Sequence, residues 1–379
     1  MAVTETLPDS RVALRELIAL LQEVDERYLG DEWGAPMFGD VPDGARSVAN
    51  MIEGGFFLAF ESDPDRPHFR PIVSRTRKLL GDNPDALYYT APVRDGSTYR
   101  VTGNTAGAVY LSFTVETASA EGGYSAQTAG VLRDRDFDVA PDGSFEVFFG
   151  GPPRPRNWLA LAPGASELIV RCYFEEPEAI ATDVNRVVPL AIESTEPLAP
   201  PPRWGDAEVA AAYRRVINFV RSRTLDQPKP GEREQPSWVS TTPNEFPPPE
   251  LPGSFAFAAA DAAYSMAPYL LGPDEALVIA GRWPACAFAS VALWNRYLQT
   301  YDYAHRPVSR NRANTELEAD GSFRIVIAHE DPGVPNWIDT EGRSFGMVFW
   351  RFFLPEGDIE TPRATVVKAA ELRGTTGAG

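Results

Sequence analysis

The chain has 379 residues, 44% apolar and 23% charged, a composition that suits a soluble globular protein with room for two domains, each burying its own core. A net charge of −18 leaves no basic surplus to neutralise phosphates, which argues against nucleic acid and anionic membrane surfaces as partners. No apolar stretch approaches the ~20 residues of a membrane span, and the N-terminus lacks the basic head and apolar run of a signal peptide, so a cytoplasmic protein is expected.

Pro8, Asp9 and Ser10 precede Leu14, Leu17, Ile18, Leu21, Val24 and Tyr28, a spacing that predicts an amphipathic helix. Gly30 to Pro67 reads as turns around the apolar run from Phe56 to Phe60. From Tyr88 to Pro177 short alternating segments, such as Ala108 to Val115 and Phe145 to Phe149, are punctuated by Gly, Pro and Asp, which predicts a β-sandwich or jelly roll. The two cysteines, Cys172 and Cys286, lie in apolar strand-like stretches and read as buried free thiols. Asp206 then caps a second helix with Val209, Tyr213, Val216, Ile217 and Val220 on one face, and Gln227 to Pro252 is a Pro- and Glu-rich linker. A second β unit runs from about Tyr264 to Gly357. The expected fold is mainly β: an N-terminal helical and irregular segment (1–80), a β-sandwich unit (81–200), a helix with a Pro-rich linker (201–260), and a second β-sandwich unit (261–370).

The two β units repeat each other. Asp142-Gly143-Ser144-Phe145 and Asn157-Trp158 recur, at nearly constant spacing, as Asp320-Gly321-Ser322-Phe323 and Asn336-Trp337. Ala91-Pro92 recurs as Ala267-Pro268, and Gly103 as Gly281. One folding unit used twice is the economical explanation, and it supplies an internal control. Positions kept in both copies point to scaffold; positions special to one copy point to function. Arg171 and Arg351, each inside an apolar strand, need polar partners if buried. Their recurrence favours a structural role over an anion site.

The Tyr-x-x-Ala-Pro segment, the Asp-Gly-Ser strand, Asn-Trp, and a strand ending in Arg-x-Phe/Tyr before acidic and Pro residues resemble the family known as DUF1214, a domain of unknown function. Trp294 to Thr300 and Pro335 to Gly342 are similar to its C-terminal portion, Gly81 to Asp85 also resembles the family, and the second unit matches more closely than the first. The resemblance implies a jelly roll and a bacterial origin, and no activity.

Subtracting one copy from the other leaves a cluster in the second. Glu116, Thr117, Ala118 and Ser119 stand where the second unit has Trp294, Asn295, Arg296 and Tyr297. Trp294, Tyr297, Tyr301, Tyr303, Arg310, Arg312 and Asn336 are therefore candidates for binding a ring-containing metabolite, sugar-like or sterol-like, by stacking and hydrogen bonding. The same residue types suit an interface with the first unit or with another subunit, and so a non-enzymatic assembly protein or homo-oligomer. His305, His329 and Asp331, with Glu330, are the candidates for general acid–base work of a hydrolase or lyase. No metal-ligand spacing and no nucleotide-binding motif occurs, so neither a metal nor a cofactor is expected. Gly342-Arg343-Ser344-Phe345-Gly346 fits a nucleophile-elbow pattern but lacks the strand before and helix after that the mechanics require.

Overall fold

In the computed structural model, which describes residues 7–35, 40–60, 62–117, 121–125, 127–253 and 258–372, the chain opens with α1 (Asp9–Glu23) and continues into α2 (Val41–Ala59). Ala13, Leu17, Leu20 and Val24 form the buried face of α1 and its π-helical extension, while Ile18 is 52% exposed. The segment expected to be turns is instead the 19-residue α2. Three glycines, poor helix formers, masked its periodicity. They serve close packing: a Cβ on Gly55 would sit 3.2 Å from Val216 and 3.3 Å from Phe219.

The first β unit consists of β1 (Arg70–Pro71), β2 (Ala86–Pro92), β3 (Thr98–Asn104), β4 (Tyr110–Glu116), β5 (Thr128–Arg133), β6 (Ser144–Gly150), β7 (Trp158–Leu159), β8 (Glu167–Tyr173) and β9 (Leu190–Ser194). α3 (Asp206–Arg223) follows, packed against α1 and α2. Its first residue does not cap its own helix. The Asp206 carboxylate accepts from the Asp9 and Ser10 amides at 2.7 and 3.1 Å, at the start of α1, while Glu208 accepts from the Gly205 amide. Carboxylates suit both helix N-termini. The Pro-rich linker leads to β10 (Ala262–Leu270), β11 (Glu275–Gly281), β12 (Phe288–Trp294), β13 (Ser309–Asn311), β14 (Phe323–Ala328), β15 (Trp337–Asp339), β16 (Phe345–Phe353), β17 (Arg363–Lys368) and the short α4 (Ala369–Leu372).

The sheet orders are β1-β2-β8-β4-β5 with β7-β6-β3-β9 in the first unit, and β10-β16-β12-β13 with β15-β14-β11-β17 in the second. Apart from the extra edge strand β1, the topology is the same twice, down to the parallel pairs β6–β7 and β14–β15. The mainly-β fold of two tandem sandwich units, with an N-terminal helix and a helical, Pro-rich connection, is therefore as expected. Repeated motifs do repeated local jobs. Asp142 and Asp320 each accept the amide of the serine two residues on, at 3.0 and 2.9 Å. Asn157 and Asn336 both adopt left-handed φ, near 58° and 59°, and their side chains hold the neighbouring loop backbone.

Each unit has its own core between its sheets, and period-2 alternation sends the other residues outward. On β8, Leu168, Val170 and Cys172 face the first core; on β16, Val348, Trp350 and Phe352 face the second. Tyr173, Phe349 and Phe353 instead belong to a third core, where the β8 sheet of one unit meets the β16 sheet of the other. Tyr173 lies 4.4 Å from Phe353 between ring centroids. Among the described residues both cysteines are free, Cys172 buried and Cys286 half-buried, and no helix is long and apolar enough to cross a membrane.

Candidate functional site

The outward faces of β8 and β16 carry the same row of side chains. Arg171 pairs with Tyr88 on β2 and Ser112 on β4; Arg351 pairs with Tyr264 on β10 and Ser290 on β12. The two rows look at each other across the third core, so the duplication builds both walls of one space. That space is a cavity of about 350 Å³, closed over by Leu58 of α2, Phe219 and Arg223 of α3 and the linker around Trp238. Its lining is rich in aromatic side chains, Tyr88, Tyr124, Tyr173, Tyr264, Trp238, Trp294 and Phe349 with Phe219 of the cover, and also carries Arg171, Arg223, Arg233, Arg296 and Arg351. The size and lining are those of a small-molecule site.

At its back stands Arg351, 6% exposed. Its Nη2 donates to the Gly81 carbonyl at 2.9 Å, while Nε and Nη1 meet no acceptor among the described residues. Rings surround the guanidinium at 4.8 Å (Phe349), 5.7 Å (Trp294), 5.8 Å (Tyr173) and 6.0 Å (Tyr264). Cation–π attraction offsets part of the cost of burying a cation without a carboxylate. Its counterpart Arg171 is occupied, donating to Thr114 Oγ1 at 2.6 Å.

The hydroxyls nearby are arranged to donate. Tyr264 Oη accepts the Ala259 amide at 2.9 Å, which leaves its own proton to give. Tyr88 and Tyr173 share one hydrogen bond at 3.0 Å, which leaves one further proton between them. Burial pushes the Tyr264 phenol up to about 12 and Tyr88 further, so both stay protonated near neutrality. The two cavity carboxylates are turned to other work. Asp82 accepts from the Thr300 amide at 3.1 Å and from its hydroxyl, and Glu167 accepts from the Thr90 hydroxyl. Burial raises both above the usual carboxylate range. Burial also lowers Arg223 to about 10. Leu58, Glu167, Phe219 and Arg223 line, in addition, an outer cleft of about 580 Å³.

The Gly81–Asp85 segment fixes this site from the side. Trp294 donates its indole N–H to the Asp82 carbonyl at 2.9 Å and stacks on Phe349 at 4.2 Å. Asn83 donates to Ser290, and Asn311 donates to Asp85, so the segment is held by the second unit. The reciprocal contact joins Asp261, at the start of the second unit, to Arg133 of the first at 2.6 Å.

The candidates from the sequence do not converge on one place. Of the binding set, Trp294 alone lines the cavity. Tyr301 is buried in the second core with its hydroxyl 2.7 Å from Tyr269, and Tyr303 lies there beneath the Lys78 ammonium. Tyr297 packs on Tyr28 of the helical layer. Arg310 donates to the Trp337 and Ser309 carbonyls. Arg312 forms a two-pronged ion pair with Glu175 of the first unit, 2.8 Å on each side. Asn336 is spent on the Glu316 and Arg324 backbone. The acid–base set is dispersed too. His305 is exposed and 2.9 Å from Asp302; His329 has both ring nitrogens engaged, by Thr340 Oγ1 at 2.7 Å and the Gly272 carbonyl at 3.1 Å; Asp331 closes a turn onto the Gly333 amide. Ala118, Ser119 and Ala120, the small residues opposite the cluster in the first copy, lie outside the described residues. Among the described residues no group of three His, Cys, Asp or Glu side chains is placed to hold a metal ion.

Sequence reasoning passed over Arg351, Tyr88 and Tyr264 as sites because both copies keep them. The available signal was an arginine inside each apolar strand.

Comparison with known proteins agrees with this picture of the fold. The model of the family described as "Protein of unknown function (DUF1214)" matches residues 276–357, within the second β unit. No curated protein matches. The crystal structure of an uncharacterised protein from Burkholderia cenocepacia is similar over 95% of this chain and 97% of that one, with 27% identity and a TM-score of 0.79. The VPA0106 protein of Vibrio parahaemolyticus aligns over 86% of this chain and 98% of its own, at 12% identity and a TM-score of 0.48.

Proposed function

We propose that this protein binds a small ring-containing molecule in the cavity between its two β units. The observation that carries the reading is a cavity of about 350 Å³ lined by eight aromatic side chains drawn from both sandwiches, α3 and the linker. Burying a ring there removes apolar area from water, at roughly 25 cal/mol per Å², without opening the core. The outer cleft that shares Leu58, Glu167, Phe219 and Arg223 with the cavity supplies a route of entry.

Trp238 and Trp294 line the cavity, so occupancy should be visible in tryptophan emission. Titration with 2-naphthamide and 2-naphthoate, both small enough for the space, should give saturable quenching and a rise in melting temperature. Met266→Trp, which adds an indole to the lining, should abolish it. Absence of saturable binding by either bicyclic probe would remove this reading.

A further inference from the structure

Resting on that reading, we infer that the ligand is a ring-bearing carboxylate and that Arg351 is the residue that holds its carboxyl group. A buried guanidinium is a costly thing to leave with unsatisfied donors, because each unpaired N–H forfeits its hydration without replacement. Among the described residues Arg351 has two such nitrogens, Nε and Nη1, at a side chain 6% exposed that itself lines the cavity. Its third nitrogen is pinned by the Gly81 carbonyl, which fixes the orientation of the plane. The guanidinium is therefore aimed, not loose.

The surroundings select the sign of the partner. Around Arg351 the remaining polar groups are phenols with protons to give, at Tyr264 and at the Tyr88–Tyr173 pair. Of the oxygens that could compete, both of Asp82 are taken by Thr300 and one of Glu167 by Thr90. A site rich in donors and short of open acceptors binds an anion better than a neutral polar group. Four other arginines line the cavity, but Arg171 is committed to Thr114 Oγ1, Arg223 to the Phe219 carbonyl and the Ser222 hydroxyl, and Arg296 to the Gly34 and Trp33 carbonyls, and Arg233 is engaged as well. One cation with two unmet donors among the described residues, and a few phenols beside it, matches a carboxylate. The aromatic walls then receive the body of the ligand beside Trp294 and Phe349, which are already stacked at 4.2 Å. No bond is made or broken in this step; it is recognition only.

The test uses matched probes on the intact protein: 2-naphthoate, 2-naphthamide and 2-naphthyl phosphate, titrated by tryptophan quenching. The carboxylate should bind roughly 10- to 100-fold more tightly than the amide, the worth of a charge-assisted hydrogen bond in a buried site. Arg351→Met should bring the two to equal affinity, while Arg171→Met should keep the preference. Equal affinity of acid and amide for the unaltered protein overturns this inference and leaves ring binding standing. Tighter binding of the phosphate overturns the choice of a carboxylate. If no probe binds, the proposed function fails with it. The comparison on the unaltered chain decides the matter even if Arg351→Met does not fold.

Discussion

Arg171 and Arg351 occupy equivalent places on the central strands of two facing sheets, each between a tyrosine on one neighbouring strand and a serine on the other. Their environments nevertheless differ. Arg171 has a hydroxyl partner in Thr114, whereas Arg351 has a backbone carbonyl, a ring of aromatic faces and two donors that meet no acceptor among the described residues. Duplication placed an arginine on each facing wall, and divergence left one of this pair with unmet donors among the described residues. The asymmetry between the copies is thus in what surrounds a shared residue and not in the residue itself.

That difference predicts opposite stability effects. Arg351→Met removes a buried cation that lacks a carboxylate and replaces it with an apolar chain of similar length, an exchange that is often neutral or stabilising by about 1–4 kcal/mol. The ligand-free variant should melt at or above the temperature of the parent protein while losing its preference for acids. Arg171→Met strips the hydroxyl partner from a buried position and should lower the melting temperature. Paired thermal melts check this, and a large fall for Arg351→Met would show that the side chain is scaffold.

Gly81 is where backbone freedom is required. Its φ is +81°, and a Cβ there would stand 2.7 Å from the Trp294 ring. Gly81→Ala must therefore strain the turn or shift the indole that lines the cavity, and should cost about 2–4 kcal/mol. Chemical denaturation gives the loss, and tryptophan quenching should show weaker binding of 2-naphthoate in the same variant. A variant with parental stability and binding would show that the segment tolerates more movement than its packing implies.

Much of the fold was legible in the chain. Period-2 alternation, Asp-Gly-Ser turns and Asn-Trp corners mark the same strands twice, and both sandwiches follow from them. α2 was not legible, because Gly44, Gly54 and Gly55 lie on its packed face, where close approach is worth more than intrinsic propensity. The cavity was not legible for a different reason. Subtracting one copy from the other cancels whatever both share, and the cavity lies where the two copies face each other, built from shared rows. Trp294 survived the subtraction because its place in the first copy is taken by Glu116. Of the other second-copy residues, Arg312 joins the copies through Glu175, Tyr301 and Tyr303 fill the second core, and Tyr297 packs on the helical layer.

That ion pair yields a third expectation. Arg312 is 27% and Glu175 14% exposed, and both guanidinium edge nitrogens meet the carboxylate at 2.8 Å. Two-pronged geometry and partial burial place its coupling above that of an ordinary surface pair, at about 1–2 kcal/mol. A double-mutant cycle of Arg312→Ala and Glu175→Ala, read by denaturant midpoints, should return a coupling of that size. Strict additivity would show that the two units are joined by the aromatic core without help from this pair.

The last expectation concerns pH. Asp85 is buried with Oδ1 accepting from Asn311 at 3.0 Å and Oδ2 meeting no partner among the described residues; burial pushes its carboxyl up to about 7, against a partial lowering by the Asn311 hydrogen bond. An unfolded aspartate ionises near 3.9. Between roughly pH 4 and 7 the unfolded chain has therefore lost a proton that the folded chain keeps, and unfolding becomes easier as pH rises. The stability tied to this group is full below about pH 4 and gone above about 7. Asp85→Asn keeps an oxygen for Asn311 and has no proton to lose, so the variant should gain on the parent by roughly 2–4 kcal/mol between pH 4 and 8. Urea midpoints at pH 5 and pH 8 provide the comparison. Parallel pH profiles for the two proteins would mean that the carboxyl ionises inside the fold at its ordinary pH, and that the junction is more open to water than its packing indicates.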